Sequence, residues 1–232
     1  MLCKFCREER TLVNSHIIPK SFFKVIAPDN DSKIIGSQGN HPKRSPQGIY
    51  DKIVCDVCEK RFEVGDDYII KFFNKKDFNN TLVANSDKAH VIKEFDLDKL
   101  NQFIASLLWR ASVTSKVFYE RVNLGKKYES LLLSYIISNG LFPSQIQYIF
   151  KKYQSVNTII SPIDYKIDGL NGYIFHFGEW DIYVKVDERK LSGSLSLFAD
   201  HSKEIWVMET PYKGSPAHSA AVSLAKKNQD LF

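Results

Sequence analysis

Four cysteines stand as two pairs of the same spacing, Cys3 and Cys6 in CKFC and Cys55 and Cys58 in CDVC, and the chain has no others. Thiolates two residues apart can both reach one metal ion from a tight knuckle, and two knuckles complete a tetrahedron around Zn2+. Disulfides fit the pattern less well. Cysteines three positions apart rarely reach good bridge geometry, and a bridge between the pairs needs an oxidising compartment. The chain opens MLCKFCREER, without an apolar segment of signal-peptide length. The expectation is a reduced, cytoplasmic protein with a structural zinc on all four cysteines. Inside the loop that such a site encloses lies Asn14-Ser15-His16-Ile17-Ile18-Pro19. A histidine titrates near neutrality, so His16 is the residue best suited to moving protons there.

The elements around these residues follow from pattern and composition. With 232 residues, 44% hydrophobic and 13% aromatic, the chain has the material for a sizeable core. A net charge of +5 permits nucleic-acid binding without requiring it. No run is long and apolar enough to span a bilayer, and no internal repeat stands out. Residues 27–48 form a polar loop rich in Pro, Gly, Ser and Asn, and IYDKIV (49–54) reads as a strand entering the second knuckle. A helical pattern runs from Cys58 with a break at Gly65. Another covers 97–120 with Asp96 or Asp98 as its cap, a third covers 126–138, and a fourth starts at Pro143 and covers 143–152. Past Pro162 the stretches GYIFHFGEWDIYVKV, SLSLFAD and EIWVMET read as strands, and PAHSAAVSLAKKN reads as a closing helix. The predicted fold class is α+β, with a zinc module over 1–78 and a helical plus mixed strand and helix region over 79–232.

Knuckle, short strand, His-Ile-Ile-Pro, strand, second knuckle and helix together resemble the HNH endonucleases, whose core is a ββα-metal unit of treble-clef type. The resemblance covers the first third of the chain. It is similar, over its full length, to prokaryotic proteins described as HNH-like that carry CxxC…SHIIPK…CxxCE and a helix like FIASLLWRAS. The resemblance implies that His16 is the general base that activates water and that Pro19 is the proline following it. It also implies a catalytic Mg2+ or Mn2+. Ser15 stands where the family has Asp, Glu or His, and Glu59 stands where a histidine follows the last cysteine. A carboxylate is an acceptable ligand for these hard cations, and Glu63, one helical turn on, offers a second. The asparagine that orients the family's histidine has no clean counterpart, Tyr50 and Asp51 lying nearest its place. Lys20, Lys43, Arg44, Lys52 and Lys60 are placed to meet the phosphate backbone.

Blander readings stand beside these. His16 can be a histidine buried against backbone inside the zinc loop, and Glu59 and Glu63 can be solvated helix residues. Asp66 and Asp67 read as a cap or bend, and Trp109 and Arg110 as core packing with a snorkelling charge. Two functions follow. One is a metal-dependent endonuclease cutting DNA, in restriction, mobile-element biology or phage defence as the resemblance implies. The other is a zinc-stapled module, catalytically degenerate, that binds nucleic acid or protein. Residues 79–232 would then carry homodimer or partner contacts.

Overall fold

The computed structural model describes residues 1–26, 33–35, 43–44, 48–74, 82–83, 86–154 and 156–229. The chain is mixed α and β. A two-stranded antiparallel ladder joins β1 (Ser15–His16) to β4 (Tyr50–Asp51), with Ser15 opposite Asp51 and His16 opposite Tyr50. It leads through Cys55 into α2 (Asp56–Asn74), and α1 (Lys20–Ile26) follows β1. The remaining strands are β2 (Lys33–Ile35), β3 (Lys43–Arg44), β5 (Leu82–Val83), β6 (Ser86–Ile92), β7 (Ile146–Lys152), β8 (Thr158–Ile167), β9 (Leu170–Phe177), β10 (Trp180–Val186) and β11 (Ile205–Glu209). They form one sheet in the order β3-β2-β8-β9-β10-β7-β11-β6-β5. Its β2–β8 and β7–β11 pairs are parallel and the others antiparallel.

The sheet is covered on both faces. Alternate residues of its central strands, Tyr148, Phe150, Phe175, Phe177, Ile182, Val184 and Val207, share a hydrophobic cluster with Phe22, Phe62, Phe72, Phe103 and Trp109. Those partners come from α1, α2 and α3 (Leu97–Val113); α4 (Gly125–Ser138) packs behind α3. The other face, with Ile149, Ile174 and Tyr183, takes α5 (Gly193–Ala199), and α6 (Pro216–Gln229) lies over β8. The first cluster therefore draws its residues both from 3–73 and from 92–207.

Several expectations are met. Asp96 caps α3, accepting from the Lys99 amide at 3.1 Å, and the helices over 125–138 and 216–229 stand close to their expected bounds. Three are corrected. Residues 146–152 are a strand, not the continuation of a helix from Pro143. Ile146, Ile149 and Phe150 have helical spacing, but a strand buried on both faces shows the same run, and seven registered pairs with β10 decide it. SLSLFAD is the helix α5, not a strand. Its alternation is incidental: Leu195, Phe198 and Ala199 face the sheet while Leu197 is exposed. No break occurs at Gly65. A Cβ there would meet the Phe103 backbone nitrogen at 2.7 Å, so glycine marks the close crossing of α2 and α3. β2 and β3, inside the expected loop 27–48, and β5, β6 and β8 went unread. β8 carries Pro162 at a register shift between Ile160 and Ile163, where no N–H is missed.

Candidate functional site

The first knuckle turns on a backbone reversal. Arg7 donates its amide to the Cys3 carbonyl at 3.0 Å, with Arg7 itself in the left-handed region at φ 62°. Lys4 donates to the Ile53 carbonyl at 2.9 Å, and Val13 to the Val54 carbonyl at 2.9 Å, which lays the N-terminus against the approach to the second knuckle. The Sγ atoms of Cys3, Cys6, Cys55 and Cys58 all lie within 4.8 Å of one another, and none is in a disulfide. A tetrahedron with Zn–S of about 2.3 Å has S···S edges of about 3.8 Å, so this cluster could hold a metal ion with small adjustments. The Cys55 amide donates to Cys3 Sγ at 3.4 Å, a contact that stabilises a thiolate. Burial pushes the Cys3 thiol up, but amides of Cys6, Cys55 and Phe5 overcome it and bring it down to about 7. Burial and the neighbouring cysteines push Cys58 up. Four sulfurs this close cannot all ionise in the absence of a compensating cation. Among the described residues these cysteines are the only group of three or more that could ligate a metal.

The second centre brings Ser15 of β1 close to Glu59 of α2. Ser15 is fully buried and points toward Glu59 in the first turn of α2. Ser15 Oγ and Glu59 Oε2 are both buried, and neither has a well-formed hydrogen-bond partner among the described residues. Burial pushes the Glu59 carboxyl up; the Ser15 hydroxyl and the Arg110 charge draw it back, and Asp66 and Glu63 add to the push. His16, half-buried, sets its ring 5.7 Å from that of Tyr50. Seven residues past Glu59 on the same helix face, Asp66 holds a bidentate ion pair with Arg110 at 2.6 and 2.9 Å. Burial pushes the Asp66 carboxyl up, and Arg110 and then the nearby His16 draw it back.

Arg110 is the residue the sequence reading missed. It does not snorkel: its side chain is wholly buried, stacked 4.8 Å over Phe62. Its five N–H donors all find acceptors. Nε reaches the Ser106 carbonyl at 3.3 Å. Nη1 reaches the His16 carbonyl at 2.6 Å as well as Asp66, and Nη2 reaches Ser106 Oγ at 3.2 Å as well as Asp66. Asp66 is likewise no cap or bend but the partner of this cation. The signal available was an arginine inside an apolar helix with core residues on either side, together with an acid two helical turns beyond Glu59 and one beyond Glu63.

The other expected residues separate. Glu63 is exposed, one turn from Glu59. Lys20, Lys52 and Lys60 are exposed at the start of α1, after β4 and on α2. Lys43 and Arg44 form β3, and their side chains lie outside the described residues, as do His41 and most of the loop 27–48. Asp51 does not face His16. It accepts from Thr114 Oγ1 at 2.7 Å and from the Ser115 amide at 2.9 Å, tying β4 to the C-terminal end of α3. Burial pushes the Asp51 carboxyl up, but these bonds and the Lys52 amide hold it down to about 2.

No helix among the described residues is long and apolar enough to cross a membrane. Compared with protein-family models, with curated proteins and with solved structures, the chain matches none of them.

Proposed function

We propose that the protein is a zinc-stapled, HNH-like nuclease that hydrolyses nucleic-acid phosphodiester bonds, DNA being the expected substrate. The observation that carries the reading is a pair of buried oxygens without a well-formed partner among the described residues, Ser15 Oγ of β1 and Glu59 Oε2 of α2, close enough to act on one another, with His16 the residue that follows Ser15. The succession β1, β4, α2, with α1 following β1, supports a ββα-metal reading, and the cysteine cluster is compatible with a Zn2+ site that would fasten its two ends.

An oxygen pair of this kind suits a hard cation, which takes one or two carboxylate oxygens and fills its other positions with water and phosphate oxygens. Ser15 and Glu59 would hold it; Glu63 is near enough to add charge but stays in solvent. A bound Mg2+ or Mn2+ would neutralise charge on the scissile phosphate. The chain's own share is proton transfer and binding. A ring nitrogen of His16 takes the proton of the attacking water, the part of a general base. Lys20, Lys52 and Lys60 draw in the backbone phosphates without reading sequence.

The second reading, a zinc-stapled binding module without turnover, is favoured by one observation. Outside the cysteines, no three metal-binding groups converge among the described residues. Mn2+ titration of the zinc-loaded protein, followed by electron paramagnetic resonance, separates the two. The nuclease reading expects one bound Mn2+ per chain that Glu59→Gln abolishes while the zinc stays. A protein that binds no Mn2+, or binds it equally well as Glu59→Gln, belongs to the second reading.

A further inference from the structure

We propose that Arg110 is the positioning residue of the His16 centre, doing from α3 what the absent asparagine of the HNH pattern would do; the inference rests on the nuclease reading for its kinetic consequence only. His16 closes a strand of two residues, so ladder pairing does little to fix its backbone. The neighbours nearest the expected place of an orienting group are spent elsewhere. Asp51 is committed to Thr114, Ser115 and the Lys52 amide, and Tyr50 offers His16 a ring face. Arg110 Nη1 instead holds the His16 carbonyl directly, at 2.6 Å.

That bond comes from a group with no freedom of its own. The guanidinium is clamped by Asp66 across both terminal nitrogens, by Ser106 on two sides and by the Phe62 ring below. A planar fork held in this way fixes the direction of its remaining N–H. Lysine carries the same charge but has no fork, so it cannot hold Asp66 and the His16 carbonyl together. The same cation and Asp66 set the field at Glu59, and His16 in turn acts on Asp66. Four residues on three elements thus form one centre, and the α3 residue bonds both Asp66 and the His16 carbonyl.

The test uses Arg110→Lys and Asp66→Asn in the full zinc-loaded chain, with zinc content and far-UV circular dichroism confirming the fold. Two quantities are read: Mn2+-dependent plasmid cleavage, and the His16 ring resonance in a 1H–13C spectrum, assigned by its loss in His16→Gln. Arg110→Lys is expected to lower kcat about tenfold or more with KM within about twofold, as a small misplacement of a reacting group does. The His16 resonance is expected to shift or broaden while those of His90, His176, His201 and His218 stay. An unmoved His16 resonance in both folded variants overturns the proposal, as does unchanged kcat in Arg110→Lys. If the wild type cleaves nothing, the nuclease reading fails, and the resonance alone decides the positioning role. If neither variant folds, the wild-type resonance decides: a motionally averaged His16 ring refutes the positioning, and a single fixed one sustains it.

Discussion

At the scale of residues, Arg110 and Asp66 form a buried ion pair between two helices. Arg110 and Asp66 are removed from water together, and the guanidinium leaves none of its donors unused. Removing one partner of such a pair leaves an uncompensated buried charge, which costs about 3–5 kcal/mol, whereas replacing both with apolar groups is often nearly neutral. Arg110→Met should therefore destabilise the protein by about that amount in urea unfolding, and Arg110→Met with Asp66→Leu should recover most of it. If the double variant were as unstable as the single one, the ion pair would not be the cause. The sequence showed the cysteines and His16 plainly because spacing alone distinguishes them. It hid Arg110 and Asp66 because an arginine in an apolar helix reads as a snorkelling charge until a partner from another element is seen opposite it.

At the scale of elements, reading was reliable where length or a cap marks a helix and weak for short elements buried on both faces. α4 has one apolar face against the core, and α3, though buried all round from Phe103 to Ala111, is long and starts at the cap Asp96. β7 lies inside a sheet covered on both faces, so its residues carry no alternation to read. α5 is short, and its SLSLF happens to alternate. The segment after α5 also carries a pH dependence. His201 packs on the Tyr148 ring and donates Nε2–H to the Tyr148 carbonyl of β7 at 3.0 Å. Burial pulls its pKa down to about 4. The unfolded chain takes up a proton near pH 6.5, whereas the folded histidine does so only near 4. The stability held above 6.5 is thus lost as pH falls through that window. His201→Gln should remove this dependence: its deficit relative to wild type, read from urea midpoints, should shrink steadily between pH 7 and 4. A constant deficit across that range would show that His201 takes up its proton at the same pH in the folded and unfolded states.

At the scale of the whole molecule, the cysteine cluster and the His16 centre share one core with the large sheet. Phe22 of α1 stacks near Phe103 and Phe177, at 6.1 and 5.2 Å between ring centroids. Lys4 of the first knuckle donates to the Val113 carbonyl at the end of α3, where the helix dipole favours a cation. On the nuclease reading the N-terminal third would carry the chemistry and the following helices would hold it in place. The cysteine cluster was legible because metal knuckles are local. The sheet order and the bond from Arg110 of α3 to the His16 carbonyl were not, because both are contacts between residues far apart along the chain. The most direct test of the account is cleavage of supercoiled plasmid DNA by the zinc-loaded protein with Mn2+, wild type against His16→Ala. The account predicts nicking by the wild type and at least a hundredfold loss in His16→Ala with zinc retained, roughly the upper part of what general-base catalysis contributes. Undiminished cleavage by His16→Ala, or none by the wild type with Mg2+ or Mn2+, would contradict it.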